Sequence, residues 1–426
     1  MNEKIGALRS FLDGAHSFFH STAELTRQLD QAGYTRLVES EDWVLTPGGR
    51  YYINRGGSSL LAFRVPRCAP AGYMMSATHC DHPTFRVKVN GDLIGAYTRV
   101  ATERYGGLIM APWLDRPLSI AGQAMVETEN GIETRLVDID RDLALIPNVA
   151  IHMNRNINET ASLNMAVDMI PLLGGANGEG QLQKELEKAA GGKILGADLY
   201  LYVRQRSSVW GLNNEFISAP GLDNLLCVWA CMEGFLNSGE SGSIPVMAVF
   251  DSEETGSNSR QGADSTMLAM VLARISRCLD LDHDRMLANS MLVSADMAHA
   301  LHPNHPEYAD PANAPVMNGG VVMKFNAAKN YVTTGLSAAL FRKVCARAEV
   351  PMQTFHNRAD IKGGSTLGYI SMNHVSVPSV DVGLAQLAMH SSYETAGAED
   401  PFYLEKAMAV YFSSTLRTDG ETYILD

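Results

Sequence analysis

The sequence predicts an α/β protein in which a central mixed sheet flanked by helices is interrupted by an inserted β-rich domain. Three observations lead there. Beyond about residue 199, strand-like apolar runs alternate with stretches of helical periodicity, the pattern of a parallel or mixed sheet covered by helices. Between about residues 87 and 199 the texture changes to alternating stretches that suggest antiparallel strands. Several apolar runs also end abruptly in carboxylates or histidines, at the strand edge where α/β sheets hold ligands.

Taken in order, Ile5, Leu8, Phe11, Leu12, Phe18, Phe19, Leu25 and Leu29 recur at near-helical spacing broken around Gly14, which predicts two helices. Strands are expected at residues 43–45, 51–54 and 60–65, separated by the turn signals Pro47-Gly48-Gly49 and Gly56-Gly57. Another, at 73–78, runs straight into His79-Cys80-Asp81-His82-Pro83. Within the insertion, strands are expected at 118–127 and 132–137. A glycine-rich loop at 174–180 and a short amphipathic helix at 181–190 follow. That loop has neither the Lys-Ser/Thr nor the preceding strand of a phosphate loop. Afterwards Leu225, Val228, Trp229, Met232, Phe235 and Leu236 share one helical face, and Leu268, Val271, Leu272, Ile275 and Leu279 share another. Strands are predicted at 246–250, 291–295 and 376–382.

Bulk properties narrow the function. A chain of 426 residues exceeds one ordinary core, and 46% hydrophobic content is ample for burial. A formal charge of −13 without any Lys/Arg-rich run argues against nucleic acid or an anionic membrane as partner. The six cysteines form no Cys-x-x-Cys pair, which fits a reducing compartment. Cys227 and Cys231 read as small core residues. The first residues lack the apolar stretch of a signal peptide, and no run is long enough to span a bilayer. A soluble cytoplasmic protein is expected.

The strand ends gather His79 and Asp81, Asp223, Glu253 and Glu254, Asp296, and His390. Two imidazoles with several carboxylates form a borderline N/O set that suits zinc, cobalt or manganese. Each piece has an ordinary reading as well: a structural histidine, a helix cap at Asp223-Asn224, a solvated acidic loop at Glu253-Glu254. Their common placement at one sheet edge is what favours a site.

His79-x-Asp81, Leu222-Asp223-Asn224, Glu253-Glu254-Thr255-Gly256-Ser257, Ser294-Ala295-Asp296-Met297-Ala298-His299 and Gln386-Leu387-Ala388-Met389-His390-Ser391 resemble, in order, the motifs of the M18 metallopeptidases, the aspartyl aminopeptidase family. The resemblance extends over essentially the whole chain. It implies a zinc-peptidase-like catalytic domain at residues 1–90 and 200–426 and an inserted dimerisation domain at 91–199. It implies two divalent metal ions, zinc first, with cobalt or manganese as alternatives. His79 and Asp296 would hold one, Glu254 and His390 the other, and Asp223 would bridge them. Asp81 would orient the His79 imidazole, and Glu253 would be the general base. Tyr331 would act as an oxyanion donor, and Lys324 would favour an acidic first side chain of the substrate. His152 would reach a neighbouring subunit's active site. The implied activity is release of N-terminal Asp or Glu from peptides by a homo-oligomer built from dimers, a dodecamer. A related two-metal aminopeptidase or amidohydrolase of other specificity, or a non-catalytic scaffold or cargo protein on the same fold, is the alternative.

Two departures from the family pattern stand out. His82 replaces a serine in His-x-Asp-Ser-Pro, and reads as a bystander. Asp360-Ile361-Lys362-Gly363-Gly364 replaces Asp-x-Pro-Cys-Gly, which puts a new charge at Lys362 near the substrate. His299, His302 and His305 are expected on a solvated loop, because Pro303 and Pro306 interrupt any helix that would align them.

Overall fold

The computed structural model describes residues 2–160, 162–361 and 363–426. Its centre is a nine-stranded mixed sheet. Tyr73–His79, Ile244–Phe250, Met291–Ala295 and Ser379–Gly383 run parallel at its middle, with Phe250 paired to His79 and Ser294 to Ala77. That register brings the ends of these strands to one edge. Alternate side chains divide between two cores. Met74, Met247, Val249 and Val293 face the helices Phe18–Gln31, Leu222–Asn237, Gly335–Ala348 and Asp400–Phe412. Met75, Ala77, Val246, Ala248 and Phe250 face Met267–Cys278. Strands buried on both faces read as continuous apolar runs, which is why Ile244–Phe250 shows no alternation. Cys227 and Cys231 are fully buried core residues.

The two N-terminal helices lie at Asn2–Gly14 and Phe18–Gln31. Residues 43–45 form no strand. Trp43 and Leu45 are buried and Val44 is exposed, so the alternation is real, but the segment pairs with no neighbour. A side chain anchors it instead: Trp43 Nε1 donates to the Val38 carbonyl, and the Arg274 guanidinium stacks 3.9 Å from the indole centroid.

A second, antiparallel sheet of six strands draws on residues from Thr84 to Val203. One face packs on Gln181–Ala190. Ile132, Leu136, Val89, Ile94, Tyr97 and Leu195 elsewhere on this unit remain exposed. A third sheet of five short strands, which the sequence reading did not foresee, orders Ser208–Trp210, Phe216–Ala219, Glu394–Gly397, Ala385–Leu387 and Ala298–His299. Among the described residues no helix is long and apolar enough to cross a membrane.

Candidate metal centre

Five chain segments converge beyond the edge of the central sheet. Tyr73–His79 ends on His79, and Met291–Ala295 delivers Asp296. Ile244–Phe250 runs through Asp251 and Ser252 into a 3-10 turn, Glu253–Thr255, that carries both glutamates. The third sheet brings the rest. Phe216–Ala219 leads into the helix start at Asp223, and the connection from Ala385–Leu387 to Glu394–Gly397 holds His390.

His79 Nε2 lies 3.7 Å from Asp223 Oδ1 and 3.6 Å from Asp296 Oδ1. His390 Nε2 lies 3.5 Å from Asp223 Oδ2 and 3.3 Å from Glu254 Oε1. These separations are wider than good hydrogen bonds. They are what ligands of a common ion show, since donors 2.0–2.2 Å from a tetrahedral zinc lie about 3.3–3.6 Å apart. Asp223 turns one oxygen to each histidine. Its Oδ1 is buried and has no hydrogen-bond partner among the described residues, an orphaned acceptor that a cation would satisfy. Ligand atoms of His79, Asp223 and Glu254 all fall within 4.8 Å of one another. The donor set and its spacing fit two divalent ions sharing Asp223.

Charges interlock around this cluster. Burial opposes ionisation of the His390 ring, but the carboxylates of Asp223 and Glu254 outweigh it and push the imidazole up to about 11. Burial pushes Glu254 up to about 7 against the pull of His390. Burial also drives Glu253 well up, opposed by His79. Desolvation works against the Asp296 carboxylate too, yet the Lys324 ammonium holds it below its ordinary range.

Both imidazoles are oriented from behind. His79 Nδ1 contacts the Asp81 backbone carbonyl at 3.0 Å, with the Asp81 carboxylate 3.4 Å away, which leaves Nε2 to face the cluster. The Asp81 carboxylate itself accepts the backbone N–H groups of Glu253 and Glu254, both at 3.1 Å. His390 Nδ1 meets the Gly107 carbonyl at 2.8 Å. A residue that the sequence reading passed over, Glu394, is fully buried and accepts the backbone N–H of both Asp223 and His390. It thereby ties one histidine to the shared aspartate. Asp251 is structural, accepting from Ser58 Oγ at 2.5 Å and from the Ser252 amide.

The cluster opens into a cleft of about 230 Å³ walled by Glu253, His299, Lys324, Tyr331, Phe355 and Thr366, among others. His299 is therefore a wall of the cleft, unlike His302 and His305, whose rings sit 5.2 Å apart in the adjoining loop. Lys324 is buried, and its Nζ donates to the carbonyls of Asp296 at 2.9 Å and Met297 at 3.0 Å. Two of its three protons are spent on the protein. His82 is turned away from the cleft, edge-on to Phe18 and packed under Gly221, and burial lowers its imidazole to about 4. His152 lies on an exposed stretch of the insertion and is not a wall of this cleft. Lys362 lies outside the described residues.

A family model described as Aminopeptidase I zinc metalloprotease (M18) matches residues 11–412. The "Probable M18 family aminopeptidase 2" of Clostridium novyi (strain NT) is 39% identical over 422 residues, covering 95% of this chain and 98% of the relative. The protein of the same description from Pseudomonas aeruginosa (strain LESB58) is 39% identical over 420 residues, covering 96% and 97%. Among solved structures, Ape4 from a cryo-EM complex with Nbr1 is similar at a TM-score of 0.91 and 33% identity, covering 96% of this chain and 85% of that one. The S. cerevisiae mApe1 dodecamer is similar at a TM-score of 0.85 and 26% identity, covering 96% of each.

Proposed function

The chain belongs to the M18 family of metal-dependent aminopeptidases, and from that footing we propose that it is a two-zinc enzyme releasing N-terminal acidic residues from peptides. The observation that carries the two-ion reading is Asp223, whose two oxygens face two histidines, each backed by a carboxylate of its own. His79 and Asp296 would hold one ion, and Glu254 and His390 the other. Bound there, the ions would lower the pKa of a water and polarise the scissile carbonyl. Glu253 takes the proton of the attacking water and returns it to the departing nitrogen. Asp81 fixes the turn that presents Glu253. Tyr331, buried in the cleft wall beside Lys324, donates to the oxyanion.

Lys324, a buried cation in the cleft wall 3.9 Å from the Asp296 carboxylate, supports the acidic preference by its positive charge. His152 would complete the cleft of a second copy, which its exposed position on the insertion allows. The exposed apolar side chains of the insertion support its role as a dimerisation domain, and the similar mApe1 is a dodecamer. Unpaired cysteines, Cys68 among them exposed, support a reducing, cytoplasmic setting.

The test is a panel of p-nitroanilides of Asp, Glu, Ala and Leu with zinc-loaded protein. Faster turnover of Asp and Glu is expected. Faster cleavage of Leu or Ala would replace the acidic preference with a different specificity on the same centre.

A further inference from the structure

The inserted sheet reaches the candidate metal centre. Its strand Thr98–Tyr105 ends against the metal centre, and three consecutive residues there touch both halves of it. Tyr105 Oη donates to Asp81 Oδ2 at 2.8 Å and lies 3.5 Å from Asp251 Oδ1. One hydroxyl thus separates two buried carboxylates, and one of them, Asp81, backs His79 and holds the amides of Glu253 and Glu254. At Gly106 the backbone turns with φ +73°, and a Cβ there would come within 3.1 Å of Glu254 Cβ, so a side chain would push the strand end off the centre. The carbonyl of Gly107 then accepts from His390 Nδ1 at 2.8 Å, which points Nε2 at Asp223 and Glu254.

Resting on the two-ion reading above, we propose that residues 105–107 are a positioning element, through which the inserted sheet sets the geometry of both metal half-sites, with Tyr105 the positioning residue for Asp81. Without its hydroxyl, Asp81 and Asp251 face each other without a donor between them, and repulsion moves the Asp81 carboxylate. The tilt passes to His79 and to the turn that bears the glutamates. Partners behind a metal ligand set its orientation and basicity, so the loss appears first in metal affinity.

The experiment compares wild type, Tyr105→Phe and Tyr200→Phe as full chains. Tyr200 packs edge-on against the same ring at 5.5 Å, so its variant controls for loss of a hydroxyl in that aromatic cluster. Zinc affinity is measured on metal-free protein by competition with a chromophoric chelator, alongside the thermal midpoint of the metal-free protein. Tyr105→Phe is expected to bind zinc about 10–100-fold more weakly with its midpoint close to that of wild type, and activity should return as zinc is raised. Tyr200→Phe should keep wild-type affinity. Unchanged affinity in Tyr105→Phe, or equal weakening in both variants, overturns the proposal. A wild type that takes up no zinc would instead overturn the metal centre itself, and this proposal with it.

Discussion

Metal binding to this protein should release protons, and its strength should climb steeply with pH. In the metal-free protein His390 is pushed up to about 11, and although burial opposes it, the nearby carboxylates of Asp296 and Asp81 raise His79 well above its ordinary value. Both rings are therefore cationic at neutral pH, and Glu254, at about 7, is partly protonated. Ligation requires neutral imidazole and ionised carboxylate. Loading both half-sites should then displace about two protons from the rings, plus a fraction from Glu254, and each proton makes the overall affinity about tenfold stronger per pH unit. The window runs from the unfolded histidine value of 6.5 upward. A histidine whose folded pKa is raised stabilises the metal-free fold fully below 6.5, and that contribution fades as pH rises toward the folded value. Stabilisation by metal grows over the same interval, so the gap in thermal midpoint between zinc-loaded and metal-free protein should widen from pH 6.5 to 8.5. Zinc titration calorimetry in buffers of different ionisation enthalpy counts the protons directly. A count near zero in that range would refute the reasoning, since the imidazoles would then already be neutral and the carboxylates around them would have some other arrangement.

Two further outcomes separate chemistry from scaffold. Glu253→Gln should keep wild-type zinc stoichiometry while kcat falls about 10²–10⁴-fold, checked by metal analysis on the assayed sample; full activity in the loaded variant would remove Glu253 from the mechanism. Gly383→Ala places a Cβ 1.9 Å from the Asp296 carbonyl oxygen, so Asp296 must shift. The variant should lose roughly 1–3 kcal/mol by denaturant unfolding and bind zinc more weakly, and wild-type values of both would show that the strand end can yield.

Much of this was legible in the sequence because the candidate ligands lie at the ends of runs that fold. Ile244–Phe250 and Met291–Ala295 could be read as buried strands, which put the Glu253-Glu254 pair and Asp296 at the strand ends, and the family resemblance then singled out Glu254 and Asp296 as candidate ligands. What could not be read is what arrives from a distance. Glu394 is one acidic residue on a short strand, and only pairing with Phe216–Ala219 carries it beneath Asp223 and His390. Tyr105 and Gly107 belong to the insertion by sequence, and nothing local marks them as neighbours of Asp81 and His390. Residues 43–45 failed for the converse reason: their alternation reports a buried face, and a strand needs a partner as well.

On the proposed roles, local geometry would divide between the adjacent glutamates a labour that sequence leaves ambiguous. On an extended strand, neighbours would point to opposite faces, and one of the pair would leave the cleft. Here Ser252, in the left-handed region at φ 65°, breaks the strand, and the next residues close a 3-10 turn. Asp81 receives their two amides, one on each oxygen, so the turn is clamped at both residues. From that turn Glu254 reaches His390, while Glu253 lines the same cleft beside His79 and Asp296. On the two-ion proposal neither would take the other's place, because the clamp holds the backbone of both residues. An Asp81→Ala variant should consequently lose both functions together, metal retention and base, where Glu253→Gln loses only one.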